Sequence, residues 1–284
     1  MDRCLPFGII PKKRLGQNFL VDKKVVADFV AAAELTKSDL VVEVGAGTGV
    51  VTEELAKHAG KVFAFEIDRD LIPVQQSILL NYKNVEIVNQ DFLKINNLTI
   101  SRRFAPSDPP TADLKQFNNW QYKIVDSIPY QITSPLIHKL LVLGPKPSLV
   151  VLLIQKEVAQ KITAKPPKAT YLSNIVKLLG EVKIVRFVPK TAFRPVPEVD
   201  GAIIKLVPSA KGGFSTYCLV PKTDVEGFQK FLHRGFQNPR QMLRRKFDPE
   251  ILEKCGIAPT CRAQELTLAD WWRLHKFAFG VRLR

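Results

Sequence analysis

The feature that most constrains this chain is a strand pattern that collapses into three alternating glycines. Asp39-Leu-Val-Val-Glu-Val-Gly45 is a short, β-branched apolar run, Gly45-Ala-Gly47-Thr-Gly49 follows it, and a helical pattern runs from Thr48 to His58. Such a run reads as a buried strand entering a tight loop. Glycines there let the backbone adopt positive φ and come close to a ligand. The spacing is G-x-G-x-G, which differs from the dinucleotide fingerprint G-x-G-x-x-G. No Gly-Lys-Ser/Thr follows, so it is not a P-loop. Alone, the loop reads equally well as a plain structural turn.

The surrounding pattern places that loop in an α/β sheet. Further strands are expected at Lys61–Glu66, Val85–Val88, Tyr122–Val125, Ser148–Ile154, Val182–Val188 and Ala202–Val207. Helices are expected from Asp22, a suitable N-cap, to Ala33, and from Arg69 to Leu80. Strands alternating with helices imply right-handed βαβ units and a mainly parallel, seven-stranded sheet. Asn96 to Gln121 is polar and holds Pro106, Pro109 and Pro110, which reads as a long loop or insertion.

Pro208 to Lys222, with Gly212-Gly213, reads as a linker. Beyond it Phe228, Phe231, Leu232 and Phe236 recur at helical spacing, as do Leu266, Trp271, Trp272, Leu274 and Phe277. The expected division is a catalytic domain over 1–208 and a small all-helical domain over 209–284. Trp271 and Trp272 are expected in its core.

Charge narrows the partner. Lys plus Arg number 42 and Asp plus Glu 27, a formal net charge of +15. A surface that positive attracts polyanions, with nucleic acid first and an anionic membrane second. No run of about 18 apolar residues is present to span a bilayer. Met1 to Lys13 lacks the apolar core of a signal peptide. Cys4, Cys218, Cys255 and Cys261 show no C-x-x-C spacing, and the four histidines show no metal spacing, so no metal is expected. The thiols read as reduced, in a cytoplasmic protein.

Acids after successive strands support a nucleoside-type ligand. Glu66 ends the second strand, where a carboxylate can accept from both ribose hydroxyls. Asp91 follows the third, where it can accept from an adenine amino group. No phosphate needs neutralising, which suits a nucleoside carrying a sulfonium. Each acid singly is more often a solvated strand end; their common placement is less easily dismissed.

After the fourth strand stands Asp126-Ser127-Ile128-Pro129-Tyr130. The pattern [Asp/Asn/Ser]-x-Pro-[Tyr/Phe] at that place marks enzymes that methylate exocyclic amino groups. An adenine amino nitrogen is a weak nucleophile because its lone pair is delocalised into the ring. Two acceptors on its N–H groups favour a pyramidal, more nucleophilic nitrogen. The Ser127 hydroxyl and the Ile128 carbonyl would serve, Pro129 would stiffen the turn, and Tyr130 would stack on a flipped base. A strand-to-helix turn with a half-buried Tyr is the structural alternative.

Over nearly its whole length the sequence resembles the small-subunit ribosomal RNA adenine N6,N6-dimethyltransferases (KsgA type). Lys12-Lys-Arg-Leu-Gly-Gln-Asn-Phe-Leu20 looks like the family's N-terminal motif. Glu43-x-Gly45-x-Gly47-x-Gly49, Glu66 and Asp91-Phe92 look like its cofactor motifs. Gln155-Lys-Glu-Val-Ala159 and Thr191-Ala-Phe193-Arg-Pro195-Val-Pro197-Glu-Val-Asp200 fit as well, as do Arg234-Gly-Phe236, Arg240-Gln-Met-Leu-Arg244-Arg245 and Arg262-Ala-Gln-Glu265-Leu-Thr-Leu268.

The resemblance implies a class I, Rossmann-like methyltransferase with a helical C-terminal domain, acting as a monomer on rRNA within a pre-small ribosomal subunit. The implied cofactor is S-adenosyl-L-methionine, held by Gln17, Asn18, Leu20, Glu43, Gly45, Gly47, Glu66, Ile67, Asp91, Phe92 and Ser127. Phe193 is implied to stack the adenine against Tyr130. Lys12, Lys13, Arg14, Arg234, Arg240, Arg244, Arg245 and Lys246 are candidate phosphate contacts, with a solvated charged face as the alternative. The family usually has Asn where this chain has Ser127, often after Gly rather than Asp126. A large-subunit methyltransferase and a non-catalytic assembly factor on the same fold are the rival readings.

Overall fold

A computed structural model describes residues 8–95, 122–128, 132–142, 146–208 and 224–280. The 96–121 insertion and most of the 208–222 linker lie outside these residues. Contacts divide the chain into two compact units, one of residues 1–159 with 183–207, the other of 160–182 with 208–284.

The first unit is built on a seven-stranded sheet. Its strands are β2 (Leu40–Glu43), β3 (Lys61–Phe65), β4 (Val85–Val88), β5 (Tyr122–Ser127), β6 (Leu149–Gln155), β7 (Gly180–Val188) and β9 (Gly201–Pro208). They run in the order β4-β3-β2-β5-β6-β9-β7. The pairings among β4, β3, β2, β5 and β6 are parallel, and β9 runs antiparallel to β6. The central strands are buried on both faces, which is why β6 reads as an unbroken apolar run with no alternation. The strand order reverses between β2 and β5, and that crevice is where such sheets bind ligands.

Helices α1 (Lys23–Ala31), α2 (Val50–His58), α3 (Ile72–Ile78), α4 (Thr133–Val142) and α5 (Lys156–Thr163) accompany the sheet. Asp22 caps α1 as its sequence suggests, accepting from the Lys24 and Val25 N–H groups. The expected helix from Arg69 begins instead as a 3-10 turn over Arg69–Leu71, because Asp68 caps that turn and Pro73 opens α3. Two motifs far apart in sequence meet in a small sheet: β1 (Phe19–Leu20) pairs antiparallel with β8 (Phe193–Arg194), Leu20 opposite Phe193.

The second unit contains α6 (Tyr171–Leu179), α7 (Val225–Phe236), α8 (Pro249–Lys254) and α9 (Leu268–Gly280). The unit is not contiguous: α6 precedes the linker, and the Ala169 N–H donates to the Gln264 carbonyl at 3.0 Å. Thr170 and Ser173 form a capping box that starts α6. Trp271 and Trp272 are buried, as expected. Phe228 meets Trp272 edge-on with ring centres 5.3 Å apart. Apart from the first residues of β7 and the last of β9, the described part of this unit holds no strand, only an isolated bridge between Met242 and Arg262. Among the described residues no helix is long and apolar enough to cross a membrane.

Candidate active site

The loop after β2 is the floor of the site. Gly47 has φ +57° and Gly49 φ +89°, conformations that L side chains rarely adopt. Three side chains hold the loop. Gln75, buried on α3, donates its Nε2 to the Gly47 carbonyl at 2.8 Å. Glu66 accepts the Gly47 N–H on Oε2 at 2.8 Å and the Asp68 N–H on Oε1 at 2.7 Å. Asp126 accepts the Gly45 N–H on Oδ1 at 3.1 Å.

An open cleft of about 1110 Å³, mouth included, lies over this floor. Gln17, Asn18 and Phe19 form one side of it; Glu66, Ile67 and Gln90 to Leu93 form another; Ser127, Ile128 and Phe193 complete it. Ile67 is 54% exposed and presents an apolar surface beside the Glu66 carboxylate. Phe193 lines the cleft while packed into the apolar layer of the sheet.

Most of the residues expected to bind a cofactor therefore share one cleft. Two do not. Leu20 is buried in the core, and Glu43 is buried beneath the glycine loop, where it accepts the Thr52 hydroxyl on Oε2 at 2.6 Å. Both line a smaller adjoining hollow with Gly45, Gly47 and Ser127. Pro129 and Tyr130 lie outside the described residues.

The electrostatics beneath the loop follow from burial. Glu43 is pushed well above the usual carboxylate range, first by burial and then by Asp126 and Glu66. Asp126 is pushed up to about 8 by burial, with Glu66 adding to it and backbone N–H donors opposing. Burial raises Glu66 as well, while N–H donation from Asp68 and Gly47 holds it back.

Several supporting groups were not evident as site residues in the sequence. Asp68 accepts from the Gln17 Nε2 at 2.8 Å and pairs with Lys12, which also reaches Asp70 at 2.6 Å. These bonds tie the N-terminal segment to the end of β3. Lys139 on α4 donates to the Leu93 carbonyl at 2.9 Å and the Ile95 carbonyl at 2.6 Å, fixing the turn after Asp91. Helix capping by Asp68 was the one local signal available; Gln75, Asp126 and Lys139 carry none.

The basic candidates divide by what they touch. Lys12 is shared between two carboxylates, and Arg14 lines the cleft. Lys13 is exposed in the first unit, and Arg234, Arg240, Arg244 and Arg245 are exposed in the second. Lys246, also a candidate by its charge, caps the end of α7 instead, donating to the Gly235 carbonyl at 2.8 Å.

The chain matches the family described as ribosomal RNA adenine dimethylase over residues 11–278. It is 37% identical over 286 residues to "Ribosomal RNA small subunit methyltransferase A" of Ligilactobacillus salivarius, covering 94% of this chain and 90% of that protein. The protein of the same name from Thermotoga maritima is 37% identical, with 97% and 88% covered. Among solved structures, a dimethyladenosine transferase from Plasmodium falciparum aligns with TM-score 0.71 and 25% identity over 93% of this chain and 98% of that one. The 23S rRNA methyltransferase ErmE aligns with TM-score 0.66 and 28% identity, covering 92% and 99%. With a family match across nearly its full length and the sheet order described above, the chain belongs to the ribosomal RNA adenine dimethylase family.

Proposed function

We propose that this protein transfers methyl groups from S-adenosylmethionine to N6 of adenines in small-subunit rRNA, dimethylating two adjacent ones. The observation that carries the reading is the single cleft joining Glu66, Asp91 and the glycine loop to Ser127 and Phe193.

The cleft suits the cofactor chemically. Each Glu66 oxygen accepts one backbone N–H and keeps a lone pair for a ribose hydroxyl. Asp91 uses Oδ1 on the Leu93 N–H, and Oδ2, which has the exposed Lys94 Nζ 3.8 Å away, is the oxygen to accept from an adenine amino group. Ile67 and Phe92 supply apolar walls. When bound, the cofactor supplies an electrophilic methyl carbon on a positively charged sulfur.

The chain's own residues then prepare the acceptor. The Ser127 hydroxyl and Ile128 carbonyl accept the two N6–H groups and orient the nitrogen lone pair. Phe193 and Tyr130 hold the base plane. Desolvation in the cleft strengthens these hydrogen bonds. Transfer would form the N–CH3 bond as the S–CH3 bond breaks, the sulfur leaving as a neutral thioether, and the nitrogen would then release a proton to solvent, so no strong base is required. The exposed arginines of the helical unit, its RNA-binding part in this reading, hold the rRNA phosphates. The protein works as a monomer in the cytoplasm, on a pre-small subunit.

The test is methyl transfer from labelled S-adenosylmethionine to unmodified small ribosomal subunits, read by nucleoside mass spectrometry. Dimethyladenosine in small-subunit rRNA is the expected product. Cofactor binding without product would favour a non-catalytic assembly factor, a reading that Ser127 keeps open. Label confined to large subunits would overturn the target.

A further inference from the structure

We propose that Asp126 is a positioning residue that locks the cofactor loop to the methyl-accepting loop. This inference rests on the function proposed above. Asp126 sits in β5 opposite Leu152, one residue before Ser127. Its Oδ1 crosses to the end of β2 and accepts the Gly45 N–H. Gly45 and Ser127 both line the cleft. One hydrogen bond and one backbone step therefore fix the distance between the loop that holds the methyl donor and the residue that orients the acceptor.

The cost of this arrangement argues for its use. Asp126 is completely buried, and its Oδ2 has no hydrogen-bond partner among the described residues. Its neighbours Ile124 and Val125 are the apolar residues that a central strand favours. A carboxyl with one oxygen unpartnered costs stability that an apolar residue in its place would not, so its presence argues for a task such a residue cannot perform. Burial, with the Glu66 charge adding to it, favours the protonated, neutral form of this carboxyl. Neutral, Oδ1 is a plain carbonyl acceptor, and an amide would serve the same purpose. Because methyl transfer is steeply sensitive to the donor–acceptor approach, slippage between the two loops lowers the rate as well as affinity.

Wild type, Asp126→Asn and Asp126→Val are compared by calorimetric binding of S-adenosylmethionine and by kcat and KM on small subunits. The Asn variant keeps both affinity and kcat within about twofold. The Val variant suits the strand but cannot accept, and its affinity and kcat each fall about tenfold. Wild-type behaviour in the Val variant, or equal impairment in both, overturns the proposal. Should the Val variant not fold, Gly45 is followed by NMR in 15N-glycine-labelled wild type and Asn variant. Its amide proton exchanges slowly with solvent in both, as a hydrogen-bonded N–H does; fast exchange at Gly45 in the wild type overturns the proposal. Failure of the wild type itself to bind the cofactor would instead remove the functional reading beneath it.

Discussion

The Phe19 ring lies against Gly47 so closely that a Cβ on Gly47 would stand 3.1 Å from Phe19 Cδ1. Phe19 belongs to β1, and β1 pairs with β8, which carries Phe193. The glycine loop, the N-terminal motif and the base-stacking candidate therefore share one packing arrangement. Gly47→Ala adds the αL penalty of about 1–2 kcal/mol to a displaced Phe19 ring. Cofactor affinity is expected to fall about tenfold in calorimetry, with a melting temperature lower by a few degrees. Unchanged binding would mean that this contact is not part of the site.

Glu66→Ala removes the acceptor for both the Gly47 and Asp68 N–H groups as well as the proposed ribose contact. Affinity for S-adenosylmethionine is expected to fall by about 10- to 100-fold while binding of rRNA, measured by filter retention, stays within about twofold. Equal loss of both would indicate general unfolding.

Asp126 gives a pH dependence of defined sign. Its carboxyl is raised in the folded state from an ordinary value near 3.8 to about 8. The folded state thus holds this proton more tightly than the unfolded state. The stability that follows is complete below the unfolded value and is lost as pH rises through about 8. Asp126→Asn has no proton to lose, so its stability relative to wild type should grow across that window. The gain is at most about 1.4 kcal/mol per pH unit. Urea denaturation at a series of pH values measures it, and parallel curves would show that the group ionises normally.

The arginines of the helical unit are tested through salt. Arg244 and Arg245 are exposed around the 3-10 turn Leu243–Arg245. If each meets a phosphate, the Ala variants should each reduce the slope of log affinity for rRNA against log salt by about 0.7 to 0.9. An unaltered slope would leave them as solvated surface charges.

Gly235 is expected to be intolerant of any side chain, because its Cβ would lie 2.3 Å from Trp271 Cη2. Gly235→Ala should cost about 1–3 kcal/mol by overpacking and alter the near-UV signal of the tryptophans. Retained stability would show that Trp271 moves freely aside.

The sequence by itself determined what short-range spacing controls. Apolar runs fixed the seven strands, and glycines after Val44 marked the turn at the crevice. Glu66 and Asp91 were legible as strand-end acids, and Trp271 and Trp272 as helical core. Tertiary structure decided what depends on residues distant in the chain. It paired Leu20 with Phe193 and brought α6 into the helical unit through Ala169 and Gln264. It buried Glu43, expected to hold the cofactor, and Asp126, which the sequence assigned no role, beneath the loop. It also engaged Lys12 and Lys246 in internal contacts where charge alone suggested phosphate binding. Hydrophobic periodicity is written along a strand or helix one turn at a time. Burial, pKa and hydrogen-bond partnership arise only when several elements close around the same group, so no local pattern records them.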